Sequence, residues 1–173
     1  MKNNLYFILT GICIFTQIVR TIYEILKHRK RLVQDKHSFI IVFMNMIVLW
    51  ISWFLLCNID PFRLELPSVI SYLGLMLAVL GVLMFLIALS TIKSLETYAG
   101  DLITNGIYSR IRHPMYLAFI LWLIGLPVFY EARFSLTLAL VFIANVLFWR
   151  HLEELELLGR FSGYKEYRKR TLF

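Results

Sequence analysis

The stretch from Pro67 to Ile92 reads PSVISYLGLMLAVLGVLMFLIALSTI and contains no charged residue. A helix needs about 20 mainly apolar residues to cross the hydrocarbon core of a bilayer, so this run predicts a membrane-spanning helix. Gly74 and Gly81 lie seven residues apart, on one face of that helix, and predict close packing against a neighbouring helix. The whole chain has the same character, because 60% of its 173 residues are hydrophobic, more than in water-soluble domains.

Four further apolar runs accompany this one. The five candidate spans are residues 5–25, 39–59, 67–92, 115–129 and 134–149. The last two are short and are separated by only four residues, so they predict a tight helical hairpin, which tilting or a locally thin bilayer would accommodate. We therefore predict an all-α fold, a polytopic membrane bundle of five transmembrane helices that forms a single domain over residues 1–173.

Basic residues are distributed unevenly between the two sides of this bundle. The segments that follow the first, third and fifth spans, with the first of them counted from Arg20, contain 15 Lys and Arg residues, whereas the segments on the other side contain three. Cytoplasmic segments carry such an excess, which predicts an N-terminus outside and a C-terminus in the cytoplasm. The net charge of +7 does not indicate nucleic-acid binding, because the basic clusters are separated by apolar runs and lack a soluble face to carry them.

The densest polar and aromatic cluster beside any span is residues 105–116, NGIYSRIRHPMY. Pro114 suits the first turn of a helix, where an amide hydrogen would have no partner, and the free amides beside it could bind a carboxylate. Arg112 and His113 would then lie at the entrance of the fourth span. The alternative interpretation is that the arginines and tyrosines only anchor this span at the membrane interface.

Two adjacent acids, Glu153 and Glu154, follow the fifth span. Carboxylates beside a bilayer usually mark a polar cavity or a partner cation. Because the fourth span begins and the fifth ends on the same side, we expect Arg112 and His113 to approach this pair across two packed helices. The alternative is an amphipathic tail helix that lies on the membrane surface.

Taken together, these residues resemble the isoprenylcysteine carboxyl methyltransferase and phospholipid methyltransferase group of integral membrane enzymes. The similarity covers about residues 104–170. It consists of the run Gly-Ile-Tyr-x-x-Ile-Arg-His-Pro-Met-Tyr, a hairpin of two spans, and then Glu-Glu followed by Phe and two spaced Tyr. The resemblance implies methyl transfer from S-adenosylmethionine to a lipophilic acceptor, either a prenylated molecule or a membrane lipid. It also implies a cytoplasm-facing cofactor pocket, which the tail of residues 150–173 completes.

The resemblance also assigns roles to individual positions. Arg112, His113 and Tyr116 match the cofactor-binding motif, Glu153 and Glu154 match its paired acids, and Arg150 is the nearest match to a catalytic arginine. The predicted cofactor-binding set is Tyr108, Arg112, His113, Pro114, Tyr116, Glu153 and Glu154, and the predicted catalytic pair is Arg150 and Glu153. No metal site is predicted. The short five-span plan is similar to prokaryotic members, which implies location in a prokaryotic inner membrane.

Two other functions remain open at the level of sequence. Membrane sterol reductases that use NADPH carry a similar Arg-His-Pro-x-Tyr piece, although such an enzyme would need a larger chain for its dinucleotide. A small membrane scaffold with a basic tail is the non-enzymatic alternative. For a methyltransferase, the acceptor could be a carboxylate held by an arginine or an amine that loses a proton to a carboxylate.

Overall fold

The computed structural model describes residues 2–32, 36–92 and 102–173. Lys93, which contributes to the charge count above, lies outside these ranges. The described chain contains six α-helices: α1 (Lys2–His28), α2 (Lys36–Ile59), α3 (Ser68–Thr91), α4 (Pro114–Phe129), α5 (Arg133–Arg160) and α6 (Tyr164–Arg170). A single 3-10 turn, Gly106–Ser109, precedes α4.

The helices confirm the predicted membrane bundle. Four of them, α1, α2, α3 and α5, are long and apolar enough to cross a bilayer, and α4 is a shorter apolar helix. Their outward faces are covered with exposed large hydrophobic side chains, as expected where lipid rather than water surrounds the protein.

Several helix boundaries differ from those that the apolar runs predicted, and two of these differences bear on the site. The fifth helix does not end at Trp149 but continues to Arg160, because the residues that follow are mainly Leu and Glu, which are strong helix formers. The first helix continues to His28, so Arg20 and Lys27 are helical residues rather than parts of the first loop. Both extensions carry charged side chains beyond the apolar runs at the same end of the bundle.

Each spanning helix packs against at least one neighbour in the bundle. The α3 helix packs along α4, α4 against α5, α5 against α1, and α1 against α2. Aromatic side chains of α2 complete the core, because the Trp53 ring lies 5.3 Å from the Phe142 ring of α5 and the Trp50 ring lies 4.9 Å from the Trp122 ring of α4. The α4–α5 hairpin is thus in contact with every other spanning helix.

The contact between α3 and α4 depends on glycine. A Cβ atom on Gly125 would lie 2.6 Å from the carbonyl oxygen of Gly74 and 2.5 Å from the amide nitrogen of Ala78. A Cβ atom on Gly81 would lie 2.9 Å from the carbonyl oxygen of Ala118. These distances confirm that the small residues of α3 allow the two backbones to approach closely.

Hydrogen bonds at one end of the bundle join the α2–α3 loop to the α4–α5 turn. The buried carboxylate of Asp60 accepts hydrogen bonds from the Ser135 amide at 2.7 Å and the Ser135 hydroxyl at 2.8 Å. The Arg133 amide donates to the Phe62 carbonyl at 2.9 Å. These bonds fix the start of α5, and the candidate active site lies at the other end, which we call the site end.

We predict that Gly125→Ala lowers the stability of the bundle. The added methyl group would clash with backbone atoms of α3, which cannot move aside as the end of a flexible side chain can. Overpacking of this kind costs about 1–3 kcal/mol. The matched control is Gly11→Ala, since a Cβ atom there meets nothing within 4 Å. Thermal unfolding of the purified protein in detergent measures both variants, and an equal melting temperature for the two would contradict the close α3–α4 contact.

Candidate active site

The entrance of α4 has the local structure that its sequence predicts. Pro114 is the first residue of the helix and is fully buried. His113 precedes it, and its carbonyl accepts the first hydrogen bond of the helix, from the Leu117 amide at 3.1 Å. This arrangement leaves His113 and the neighbouring Arg112 at the mouth of α4, directed towards α5.

Arg112 and Glu154 form a buried ion pair between α4 and α5. The guanidinium Nε donates to Glu154 Oε1 at 2.7 Å, and the side chains are only 11% and 7% exposed. The Nη1 group of Arg112 also donates to the Thr171 carbonyl at 2.8 Å. The expected approach of these residues across the hairpin is therefore present, and it includes the end of the tail.

His113 lies between the two acids and a tyrosine. Its Nε2 atom is 3.3 Å from the Tyr164 hydroxyl and 3.5 Å from Glu154 Oε1, while its Nδ1 atom is 4.0 Å from Glu153 Oε2. The Tyr116 ring lies next to the imidazole, with 5.8 Å between the ring centroids. The imidazole thus connects α4, α5 and α6 in one cluster.

Burial lowers the pKa of His113 below the ordinary histidine value. The carboxylates of Glu153 and Glu154 oppose this shift, and the guanidinium groups of Arg112 and Arg150 reinforce it. Since an ordinary histidine has a pKa of about 6.5, His113 is neutral at pH 7. A neutral imidazole can both donate and accept a hydrogen bond.

The tail folds back over the entrance of α4 and supplies residues that the sequence did not assign to the site. The Tyr167 hydroxyl donates to the Tyr108 carbonyl at 2.6 Å, and the Arg112 amide donates to the Leu172 carbonyl at 3.1 Å. Burial raises the pKa of Tyr164 and raises that of Tyr167 to about 12, so both hydroxyls keep their protons. These are the two spaced tyrosines of the family resemblance, and their spacing of three residues, which places them on one helix face, is the signal that could have assigned them to the site.

Arg150 and Glu153 lie three residues apart on α5 and have unused polar groups. The Arg150 guanidinium stacks on the Phe173 ring at 4.5 Å, and its Nε atom is buried without a hydrogen-bond partner. The Glu153 side chain is 23% exposed, and within the described ranges no Lys or Arg nitrogen lies within 4.0 Å of it. Among the described residues, the Glu153 carboxylate therefore has no cationic partner, and Arg150, about one turn away on α5, has a buried donor with no hydrogen-bond acceptor.

The first helix adds charged residues to the same end of the bundle. Lys27 forms an ion pair with Glu156 of α5 at 3.2 Å, and Arg20 pairs with Glu24 at 2.5 Å. Glu24 and Lys27 are both buried. The sequence predicted that the basic segment after the first span lies on this side of the membrane, but it did not predict that these side chains are buried.

The structure brings all of the predicted positions to the site end. Arg112, His113, Glu153 and Glu154 form direct contacts, Tyr116 packs on the histidine, and Tyr108 is joined to the tail through its carbonyl. Arg150 lies one turn before the paired acids on α5. The predicted set is thus one spatial cluster.

Comparison with known proteins identifies the family. The sequence model of the phospholipid methyltransferase family matches residues 69–162. The chain belongs to the phospholipid methyltransferase family. The matched region runs from α3 through α5 and contains both the Arg112–His113 pair and the Glu153–Glu154 pair, whereas α1, α2 and α6 lie outside it. No curated protein and no solved structure matches this member of the family.

We predict that Glu154→Gln destabilises the protein by about 3 kcal/mol, because it leaves the buried Arg112 guanidinium without a counter-charge. The matched control is Glu166→Gln, which removes an acid from an exposed pair with Lys169. Exposed pairs contribute little, so the control should unfold like the unmodified protein. Thermal unfolding in detergent checks both variants, and similar losses in the two would show that the buried pair is not a major contact.

We predict that the protein loses stability as the pH falls below about 6.5, the ordinary pKa of histidine, in part through His113. A buried histidine with a lowered pKa contributes stability that is present above about pH 6.5 and is lost as the pH falls towards that lowered value. The melting temperature of His113→Gln should therefore depend less on pH. The matched control, His151→Gln, changes an exposed histidine. A pH dependence that is unchanged in His113→Gln would refute this assignment.

Proposed function

We propose that this member of the phospholipid methyltransferase family transfers a methyl group from S-adenosylmethionine to a lipophilic acceptor in the membrane. Family membership supports the class of reaction. The observation that carries the choice of site concerns two groups on α5 beside the neutral His113. Among the described residues, the Glu153 carboxylate has no Lys or Arg nitrogen within 4.0 Å, and the buried Arg150 Nε has no hydrogen-bond partner.

The chemistry of the donor fits these two groups. The methionine part of S-adenosylmethionine carries an ammonium group and a carboxylate, and charge-assisted hydrogen bonds to such groups are the strong ones. In this proposal Glu153 binds the ammonium group and Arg150 binds the carboxylate. Tyr116 and His113 supply an aromatic wall for the adenine ring, and the amides after Pro114 are further donors.

Arg112 and Glu154 hold this site in shape. Two donors of the Arg112 guanidinium already bind Glu154 and the Thr171 carbonyl. Their contact fixes the distance between the start of α4 and α5, so the side chains around His113 are already in position before any ligand binds. Such preorganisation matters because methyl transfer mainly requires accurate alignment of donor and acceptor.

Bound S-adenosylmethionine would supply an electrophilic methyl group on a positively charged sulfur. If the acceptor is an amine, Glu153 is the better proton acceptor of the two acids, because Glu154 is already paired with Arg112. If the acceptor is a carboxylate, Arg150 is placed to hold it. Each residue serves one ligand at a time: where Glu153 takes the proton of an amine acceptor, Arg150 alone of the two binds the donor, and where Arg150 holds an acceptor carboxylate, Glu153 alone binds the donor.

We further propose that this site faces the cytoplasm of a prokaryotic cell from its inner membrane. The excess of Lys and Arg at the site end supports this orientation. In this arrangement the soluble donor enters from the cytosol and the acceptor from the bilayer. The single membrane domain, with α6 and the residues around it as its tail, would then complete the cofactor site.

Binding of radiolabelled S-adenosylmethionine to the purified protein tests the proposal. Glu153→Gln should weaken binding by about tenfold or more, because it removes a charge-assisted contact. The control Glu166→Gln changes an exposed acid on α6 and should bind normally. Undiminished binding in Glu153→Gln would remove the site assignment, and a preference for NADPH would favour a reductase. Fractionation of a lipid extract incubated with the labelled donor would identify the acceptor.

A further inference from the structure

The end of α1 brings two cations close to the α5 face that carries Glu153. Arg20, Glu24 and Lys27 are spaced by four and three residues, so they share one face of α1. On α5, Glu153 and Glu156 are three residues apart and also share a face. The Glu24 carboxylate interacts electrostatically with all four of the other charged groups. We call these five residues the α1–α5 cluster.

Each cation of this cluster is held by an acid other than Glu153. The Lys27 side chain is only 6% exposed, and its Nζ atom lies 3.2 Å from Glu156 Oε2. Arg20 pairs with Glu24, and its guanidinium also lies over an indole ring of α5. The cluster therefore contains two cations and three carboxylates. Glu153 is the carboxylate left over, since in the described part of the chain no Lys or Arg nitrogen lies within 4.0 Å of it.

The spacing of the two acids on α5 allows Lys27 to change partner. Side chains three residues apart on a helix have Cβ atoms about 5–6 Å apart, a distance that the long side chain of lysine spans by changing its rotamer. A buried ammonium group without a counter-charge is strongly destabilising, so Lys27 must pair with one of the nearby carboxylates. The acid that Lys27 binds then determines whether Glu153 keeps an unpaired charge.

We propose that Glu156 is a positioning residue, which holds Lys27 away from Glu153 and so keeps the Glu153 carboxylate available to a cationic group of a ligand. Glu24 does the same for Arg20. This inference rests on the proposed function, in which that cationic group is the ammonium of S-adenosylmethionine. It adds α1 to the candidate site, although α1 lies outside the residues that the family model matches.

The simpler alternative is that the pair of Lys27 and Glu156 only fastens α1 to α5. The two explanations differ in what they predict when Glu156 is removed. A fastening contact is lost and Glu153 is unaffected, so changes at the two acids add independently. A positioning contact releases Lys27 to Glu153, so the effect of changing Glu153 depends on whether Glu156 is present.

Thermal unfolding of the full chain in detergent at pH 7 distinguishes these explanations without any ligand. Glu153→Gln alone should leave the melting temperature nearly unchanged, because Glu153 has no cationic partner to lose among the described residues. In the Glu156→Gln background the same change should lower the melting temperature by about 5 °C or more, because it removes the acid with which Lys27 then pairs.

Binding of radiolabelled S-adenosylmethionine provides the second measurement. Glu156→Gln should weaken binding by about tenfold, because Lys27 then competes with the donor for Glu153. Lys27→Met/Glu156→Gln removes the competing cation and should restore binding to within about twofold of the unmodified protein. A residue that only fastened the helices would not be rescued by the loss of its own partner.

The matched control is Glu166→Gln, which removes an acid from the exposed pair with Lys169, outside the cluster. In this background Glu153→Gln should again leave the melting temperature nearly unchanged. An equal effect of Glu153→Gln in all three backgrounds would overturn the proposal, as would weak binding that Lys27→Met does not restore. Absence of donor binding in the unmodified protein would refute the proposed function alone, because the melting temperatures decide this inference separately.

Discussion

The buried ion pair between Arg112 and Glu154 is the contact on which the site end depends. Arg112 lies two residues before α4 and Glu154 lies near the end of α5, so the ion pair joins these two segments. The same guanidinium also donates a hydrogen bond to the Thr171 carbonyl of the tail. A buried pair is stable only when its geometry is good and its remaining hydrogen-bonding groups are satisfied. Here the segment before α4, the end of α5 and the tail must all be in place for these hydrogen bonds to form. Contacts between charged and polar groups therefore determine how the three segments are arranged at the site.

The bundle is fixed differently at its two ends. Away from the site, Asp60 and Ser135 join the two turns through direct hydrogen bonds, and the α4–α5 hairpin therefore has a defined start. At the site end several charged side chains lie together, but not all of them are paired. Among the described residues, Arg150 Nε has no hydrogen-bond partner and the Glu153 carboxylate has no Lys or Arg partner. Across the described ranges, Arg150 Nε at the site end is one of several buried donors without a partner, and the indole groups of Trp53 and Trp122 in the apolar core are two others.

The sequence predicted the spanning helices well because their length and lack of charge reflect the thickness of the bilayer directly. It also predicted that Arg112 and His113 approach Glu153 and Glu154, since a tight hairpin brings the start of its first helix next to the end of its second. It could not predict the return of the tail to Arg112, because that contact depends on α5 continuing to Arg160 before the chain turns. Nor could it predict that Lys27 is buried against Glu156, since a basic cluster next to a span has the same sequence pattern whether it is solvated or paired.

The close contact of α3 and α4 restricts where a lipid molecule can pass from the bilayer into the protein interior. At Gly74, Gly81 and Gly125 the two backbones approach so closely that there is no space for even one added methyl group. A fatty chain is far wider than a methyl group, so it cannot pass between the two helices over the stretch of α3 from Gly74 to Gly81. A molecule that enters the protein interior from the lipid phase must therefore pass elsewhere, and the width of the gap between helices at that place, together with the reacting groups, would decide which lipids enter.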